Sequence, residues 1–210
     1  MIVVFTAETI LENEAESLNA LFEVGLQILH LRKPKSCKKQ YEQLLKAINP
    51  NYHSRIMLHQ FHDLAAIYGC KGIHLKGIHK NQFTKEKDGL KKYIESYQNK
   101  GFCVSTGVHS LTELKKYQSS TLDYVFLSPI FNSISKKNYN ALKLDHKTFK
   151  NIFSKFPVWA LGGVDLEKIE YVYQMGFKGA AVLGAIWKTN EPTSYFKKLL
   201  DLDKKLILKY

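Results

Sequence analysis

The chain has 210 residues, 45% of them hydrophobic and 24% charged, with a formal net charge of +12 at pH 7. That length suits one large domain or two small ones with a substantial core, and the composition is that of a soluble globular protein. No apolar run approaches the roughly 20 residues of a membrane helix, and the lysines are scattered without RNP, helix-turn-helix or zinc-finger spacing, so neither a membrane nor a nucleic acid is expected as partner.

The opening "MIVVFTAE" lacks the basic segment and small-residue cleavage site of a signal peptide. Cys37, Cys70 and Cys103 form no metal-like pair and leave an odd count, which reads as reduced thiols in the cytoplasm.

In chain order, β-rich runs alternate with stretches of helical period. The strand candidates are "IVVFTA", "LQILHL", "SRIML", "GIHL", "FCVST", "YVFLS", "VWALG" and "AAVLG". Helices are predicted over 14–22, 38–48, 63–68, 111–117, 165–175 and 193–200. The segment 77–100 reads as an irregular loop leading into a weaker helix. Asp63 and Asp165 stand where N-caps belong, and Gly25, Gly69 and Gly176 where helices stop. No linker or composition break divides the chain. Eight strand–helix units in about 200 residues favour a single α/β domain over 1–210, a (β/α)₈ TIM barrel. A doubly wound sheet is the competing reading, but no G-x-G-x-x-G turn follows the first strand.

A barrel places its active site at the C-terminal ends of its strands. Those ends read Thr6/Glu8, His30/Arg32, His59, His74, Ser105, Ser128, Gly162/Gly163 and Gly184, polar or glycine in every case. His30 and Arg32 share a strand face because side chains alternate. A guanidinium in a barrel mouth suits a phosphate or carboxylate, which it grips with two parallel hydrogen bonds. Gly162, Gly163 and Gly184, on the last two strands, are where barrels often bind phosphate through backbone N–H groups. Ser133, Ser135 and Lys136 follow the sixth strand and could hold another phosphate. Ser110 with Glu113 has capping-box spacing, and His109 just before it is a candidate acid or base. The segment 55–80 carries four of the eight histidines, His59, His62, His74 and His79, but no fixed metal motif such as H-E-x-x-H. They read as two strand ends, a helix start and a loop, with no confident metal site.

The segments "LHLRKPK", "HDLAAIYGCKGIHL", "GVHSLTEL", "LDYVFLSPIFNSISKKN", "ALGGVDLEKI" and "GFKGAAVLGAIW", in that order, resemble the thiamine phosphate synthase family and its sister group of thiazole tautomerases. The resemblance spans nearly the whole chain. It implies a cytoplasmic barrel of thiamine biosynthesis, a transferase that condenses hydroxymethylpyrimidine pyrophosphate with thiazole phosphate and releases pyrophosphate with the help of Mg²⁺. A homo-oligomer is admitted.

Arg32 matches the family's pyrophosphate-binding arginine, and Ser133, Ser135 and Lys136 match its phosphate loop. Gly162, Gly163 and Gly184 match the backbone site for thiazole phosphate. On the same resemblance, Arg32, Lys136, His30 and His109 are the catalytic candidates, with His59 and His74 lining the substrate site.

Departures accompany the match. Histidine at 30 is closer to the tautomerases than the synthases' glutamine. The family lysine after the arginine falls on Pro34, so Lys33 or Lys35 would substitute. The family's two metal-binding aspartates fall on Gln60 and His79, which leaves no carboxylate for Mg²⁺. Pro129 stands where the tautomerases carry a catalytic histidine. The synthase form of "SPIFNSISKK" favours a synthase. The alternatives are a tautomerase-like isomerase and a catalytically silent binder of thiazole phosphate.

Overall fold

The computed structural model of the protein describes residues 1–82, 88–117, 121–132, 142 and 156–210. Eight parallel strands close into a barrel in sequence order: β1 (Ile2–Phe5), β2 (Leu29–Leu31), β3 (Ile56–Leu58), β4 (Gly72–Leu75), β5 (Cys103–Val108), β6 (Tyr124–Leu127), β7 (Val158–Leu161) and β8 (Gly179–Val182). Closure is made by β8 against β1, where Ile2, Val3 and Val4 stand opposite Ala180, Ala181 and Val182. Parallel strands covered on both faces need apolar residues on both. Accordingly "IVVF", "YVFL" and "GAAV" are buried at every position.

Alternation then sorts the side chains into two compartments. Ile2 and Val4 point out to the helix-covered core, while Val3 and Phe5 point into the barrel with Ile28, Met57, Tyr124, Phe126, Trp159 and Ala181. The outer layer comprises α1 (Glu14–Glu23), α2 (Lys38–Ala47), α3 (Leu64–Tyr68), α4 (Gly77–Gln82), α5 (Gly89–Gln98), α6 (Leu111–Lys115), α7 (Ile169–Gln174), α8 (Gly184–Trp187) and α9 (Pro192–Lys209), with a 3₁₀ turn at Pro50–Arg55. Burial follows helical period: Leu18, Leu21 and Phe22 in α1, and Phe196, Leu199, Asp203 and Leu206 in α9.

The expected helices are all present, with shifted ends. The 77–100 segment contains two described helices, α4 and α5, rather than one. The last helix runs on to Lys209 because its buried spacing of three and four continues through Leu206. Gly25, Gly69 and Gly176 do take positive φ at helix ends. Asp63, the expected cap of α3, makes no side-chain cap bond and instead meets the Lys38 ammonium at 2.5 Å. Ser110 caps α6 by accepting from Glu113 N–H at 3.0 Å, but Glu113 reaches back to His109 N–H rather than to Ser110. No described helix is long and apolar enough to cross a membrane.

Candidate functional site

At the C-terminal ends of the strands lies a cavity of about 400 Å³, lined among others by Phe5, Glu8, Arg32, His59, His74, Lys76, His109, Ser128 and Gly162. Arg32 enters it just beyond β2. Its backbone is fixed by Thr6, whose hydroxyl accepts from Arg32 N–H at 2.9 Å and donates to Arg32 C=O at 3.0 Å. Thr6 is thus consumed in positioning the arginine. The guanidinium donates to Glu8 at 2.7 Å, with both side chains still partly open to solvent.

Lys76, immediately after β4, lines the same cavity. Burial first, and then the nearby Arg32 guanidinium, pushes its ammonium below the usual lysine range. No carboxylate pairs with it among the described residues. This residue was not read as functional from the sequence. The available signal was a lysine directly after the fourth strand, two residues beyond its histidine, at a mouth position.

Lys33 is a different matter. Its ammonium is wholly buried and donates to Glu14 at 2.5 Å, to Ala7 C=O at 2.8 Å and to Thr9 C=O at 2.7 Å. All its donors are spent inside the protein, so it cannot substitute for a pyrophosphate-binding lysine. Lys35 is exposed.

Beneath the cavity three imidazoles converge from β2, the end of β3, and β4. His30, His59 and His74 are 0%, 2% and 6% exposed. His30 Nδ1 meets His59 Nε2 at 2.9 Å, and His30 Nε2 meets the Tyr124 hydroxyl at 2.8 Å. His59 stacks on His74 with ring centres 4.1 Å apart, and His74 Nδ1 bonds Ser105 Oγ at 2.9 Å. Phe5 stacks on the other side of His30 at 4.6 Å. Burial pushes His30 down to about 3. His59 and His74 are driven well below the normal histidine range, first by burial and then by neighbouring imidazoles. His30 therefore sits under the cavity as a neutral partner of His59 and Tyr124, not at its surface, whereas His59 and His74 reach the lining. The sequence suggested strand ends; the closed topology is what brings three adjacent inward positions into one cluster.

His109 lines the cavity from the end of β5, with Nδ1 at 3.1 Å from Ser128 C=O. Gly162 lines it too, whereas Gly163 and Gly184 are not among its lining residues. Both Gly162 and Gly163 have positive φ, 94° and 70°. A Cβ on Gly163 would stand 2.4 Å from Asn132 C=O and 2.7 Å from Phe131 Cβ. Close packing against the chain leaving β6 is therefore one reason for this glycine. Gly184 is the first residue of the short α8, which is anchored by Trp187 Nε1 donating to Phe5 C=O at 2.6 Å. Ser133, Ser135 and Lys136 lie outside the described residues.

The family described as thiamine monophosphate synthase matches residues 1–186. The chain belongs to that family. It is 30% identical to a thiamine phosphate pyrophosphorylase from Bacteroides thetaiotaomicron, with 97% of each chain covered and a TM-score of 0.75. It is 25% identical over 193 residues to a thiamine-phosphate synthase from Caldicellulosiruptor saccharolyticus, covering 90% of this chain and 83% of that one. A thiamine phosphate pyrophosphorylase from Pyrococcus furiosus, 18% identical with a TM-score of 0.76, shares the fold. Membership in the thiamine monophosphate synthase family places the chain among the transferases of thiamine biosynthesis.

Mg²⁺ is the metal that goes with this thiamine monophosphate synthase resemblance, and the donors here do not fit it. Gln60 offers an amide, whose oxygen accepts from Lys33 N–H at 3.3 Å, and His79 Nδ1 accepts from Lys76 N–H at 3.1 Å. Among the described lining residues Glu8 is the one carboxylate, and it is paired with Arg32. A small, hard cation needs oxygen ligands in near-octahedral array, which this set does not supply.

Proposed function

We propose that the chain is a thiamine phosphate synthase in which protein cations hold the leaving pyrophosphate. Arg32 and Lys76 lining one cavity is the observation that carries this reading. Hydroxymethylpyrimidine pyrophosphate would lay its pyrophosphate against these two side chains, and thiazole phosphate would approach from the β7–β8 side near Gly162. The C–O bond to pyrophosphate breaks, its electron pair leaving with the anion, and the pyrimidine methylene forms a C–N bond to the thiazole nitrogen.

Charge develops on the departing oxygens, where fixed cations in a partly water-excluded site stabilise the transition state more than the ground state. Arg32 supplies paired donors in a plane and Lys76 a compact charge. Ser133, Ser135 and Lys136 join the phosphate contacts by family resemblance. His109 lines the rim, and His59 and His74 form the floor below the reacting groups. We place the reaction in the cytoplasm, in keeping with three free cysteines.

The test is turnover of purified protein with both substrates, with Mg²⁺ added or omitted. The expected result is thiamine phosphate and pyrophosphate in equal amounts, at a rate that omission of Mg²⁺ leaves within about twofold and Lys76→Met lowers about a hundredfold. Conversion of a thiazole tautomer in place of condensation would instead establish the isomerase reading. Tight phosphate binding with neither turnover would establish a silent binder.

A further inference from the structure

We propose that His30, His59 and His74 form a binding site for a borderline first-row divalent cation, typified by Zn²⁺, in the floor of the mouth cavity. One ring nitrogen from each of the three lies within 4.8 Å of the others. Zn–N bonds are about 2.0–2.1 Å, so tetrahedral ligands stand about 3.4 Å apart. The His30–His59 pair is already inside that span at 2.9 Å. The outer limit of 4.8 Å exceeds that span by about 1.4 Å, which is the closing that binding requires.

Two of the three second ring nitrogens are arranged as metal-binding histidines require. A ligating imidazole is held by a hydrogen bond from its other nitrogen, which fixes both tautomer and ring orientation. Here Tyr124 holds His30 through Nε2, leaving Nδ1 turned to His59. Ser105 holds His74 through Nδ1, leaving Nε2 on the side of Gly107, a lining residue of the cavity.

His59 is the exception, since its Nε2 is the atom that faces His30 Nδ1. Its Nδ1 is buried and has no hydrogen-bond partner among the described residues. An unsatisfied buried polar atom costs about 1–3 kcal/mol, and a cation on Nε2 leaves that cost in place, so this ring is held by its stacking on His74. The apolar filling used elsewhere in this interior, Met57 and Phe126, would cost nothing of that kind.

The chemistry selects the metal. Three neutral nitrogen donors suit Zn²⁺, Co²⁺ or Ni²⁺ and not Mg²⁺ or Ca²⁺. His59 and His74 reach the cavity, so the fourth coordination position opens into it, and a water or an anionic oxygen can occupy that place. Each ring ligates in its neutral form and the cation replaces the His30–His59 hydrogen bond. The site does not depend on the synthase reading; a barrel of any activity could carry it.

The experiment is equilibrium dialysis of the chelator-stripped full-length chain against Zn²⁺, with Co²⁺ absorption in the visible as a geometric readout. One Zn²⁺ per chain is expected, together with the intense visible bands of four-coordinate Co²⁺. His59→Gln and His74→Gln should each weaken Zn²⁺ binding by more than tenfold. Tyr124→Phe, which removes only an outer partner, should weaken it about 10- to 100-fold. The double variant His62→Gln/His79→Gln should leave it unchanged.

Circular dichroism checks each variant's fold, and Zn²⁺ should raise the Tm of the parent but not of His59→Gln. If a histidine variant fails to fold, Tyr124→Phe still decides. The proposal is overturned if the parent chain takes up no Zn²⁺. It is equally overturned if uptake survives His59→Gln and His74→Gln, or disappears in the His62/His79 variant. Absence of synthase turnover would leave it standing, whereas absence of Zn²⁺ uptake would leave the synthase reading standing.

Discussion

The ammonium of Lys33 and the carboxylate of Glu14 meet at 2.5 Å with 0% and 1% of their side chains exposed. This pair ties the chain after β2 to the first turn of α1, and the two carbonyls that share the ammonium, Ala7 and Thr9, flank Glu8 at the cavity. A buried pair broken on one side leaves an uncompensated charge, which costs about 3–5 kcal/mol. Glu14→Gln should therefore lower urea stability by that amount, while Lys33→Met/Glu14→Leu should recover most of it. Equal losses in the single and double variants would show that the charges themselves are not the source.

Arg32 is not idle without a ligand, because Glu8 occupies it. An incoming pyrophosphate must displace that carboxylate, whose partly exposed pair contributes about 0.2–1 kcal/mol. Glu8→Gln is expected to tighten pyrophosphate binding about two- to fivefold by calorimetry. Arg32→Ala should weaken it at least about tenfold. Unchanged affinity in Arg32→Ala would remove β2 from the binding site.

Acid should unfold this protein from an unusually high pH. Burial lowers His30 and His62 from 6.5 to about 3. Between those values the unfolded chain binds more protons than the folded one, so stability is full above pH 6.5 and falls as pH drops toward 3. Each such histidine contributes a slope of about 1.4 kcal/mol per pH unit. His62→Phe, surrounded by His79, Tyr93 and Tyr97 rings, should flatten the profile of urea midpoints between pH 6 and pH 5. Parallel profiles for parent and variant would contradict this.

Two glycines of similar φ should respond very differently to alanine. Gly69, at +62°, has nothing within 4 Å of an added Cβ, and Gly163, at +70°, has Asn132 C=O at 2.4 Å. Gly69→Ala is expected to cost about 1–2 kcal/mol from backbone conformation alone. Gly163→Ala adds a clash and should cost distinctly more than that, above about 2 kcal/mol. Thermal melts of the two variants make the comparison directly.

Much of the fold was legible because a closed parallel barrel writes itself locally. Most strands are short runs buried on both faces, the longer helices have their apolar spacing, and Gly25, Gly69 and Gly176 mark stops that the backbone does make with positive φ. Arg32 was legible for a similar reason, since a charged side chain at a strand end has few other uses. Lys33 misled because adjacency to Arg32 carries no information about direction: alternation sends it outward to Glu14. The three-histidine cluster was hidden for the opposite reason. His30, His59 and His74 are far apart along the chain, and only closure of neighbouring strands in register makes their rings touch. Lys76 was passed over because its meaning depends on its standing in the same cavity as Arg32.

The fit of Gly163 against Phe131 and Asn132 has a consequence for how this mouth can change over time. The exits of β6 and β7 pack with no room for a Cβ between them, and Phe131 N–H also donates to Gly162 C=O at 3.0 Å. Neither exit can be remodelled alone. A bulkier residue on one has to be met by a compensating retreat on the other, so a new substrate preference acquired here would arrive as paired substitutions across that contact, and libraries that vary one side while holding the other fixed would sample mostly misfits.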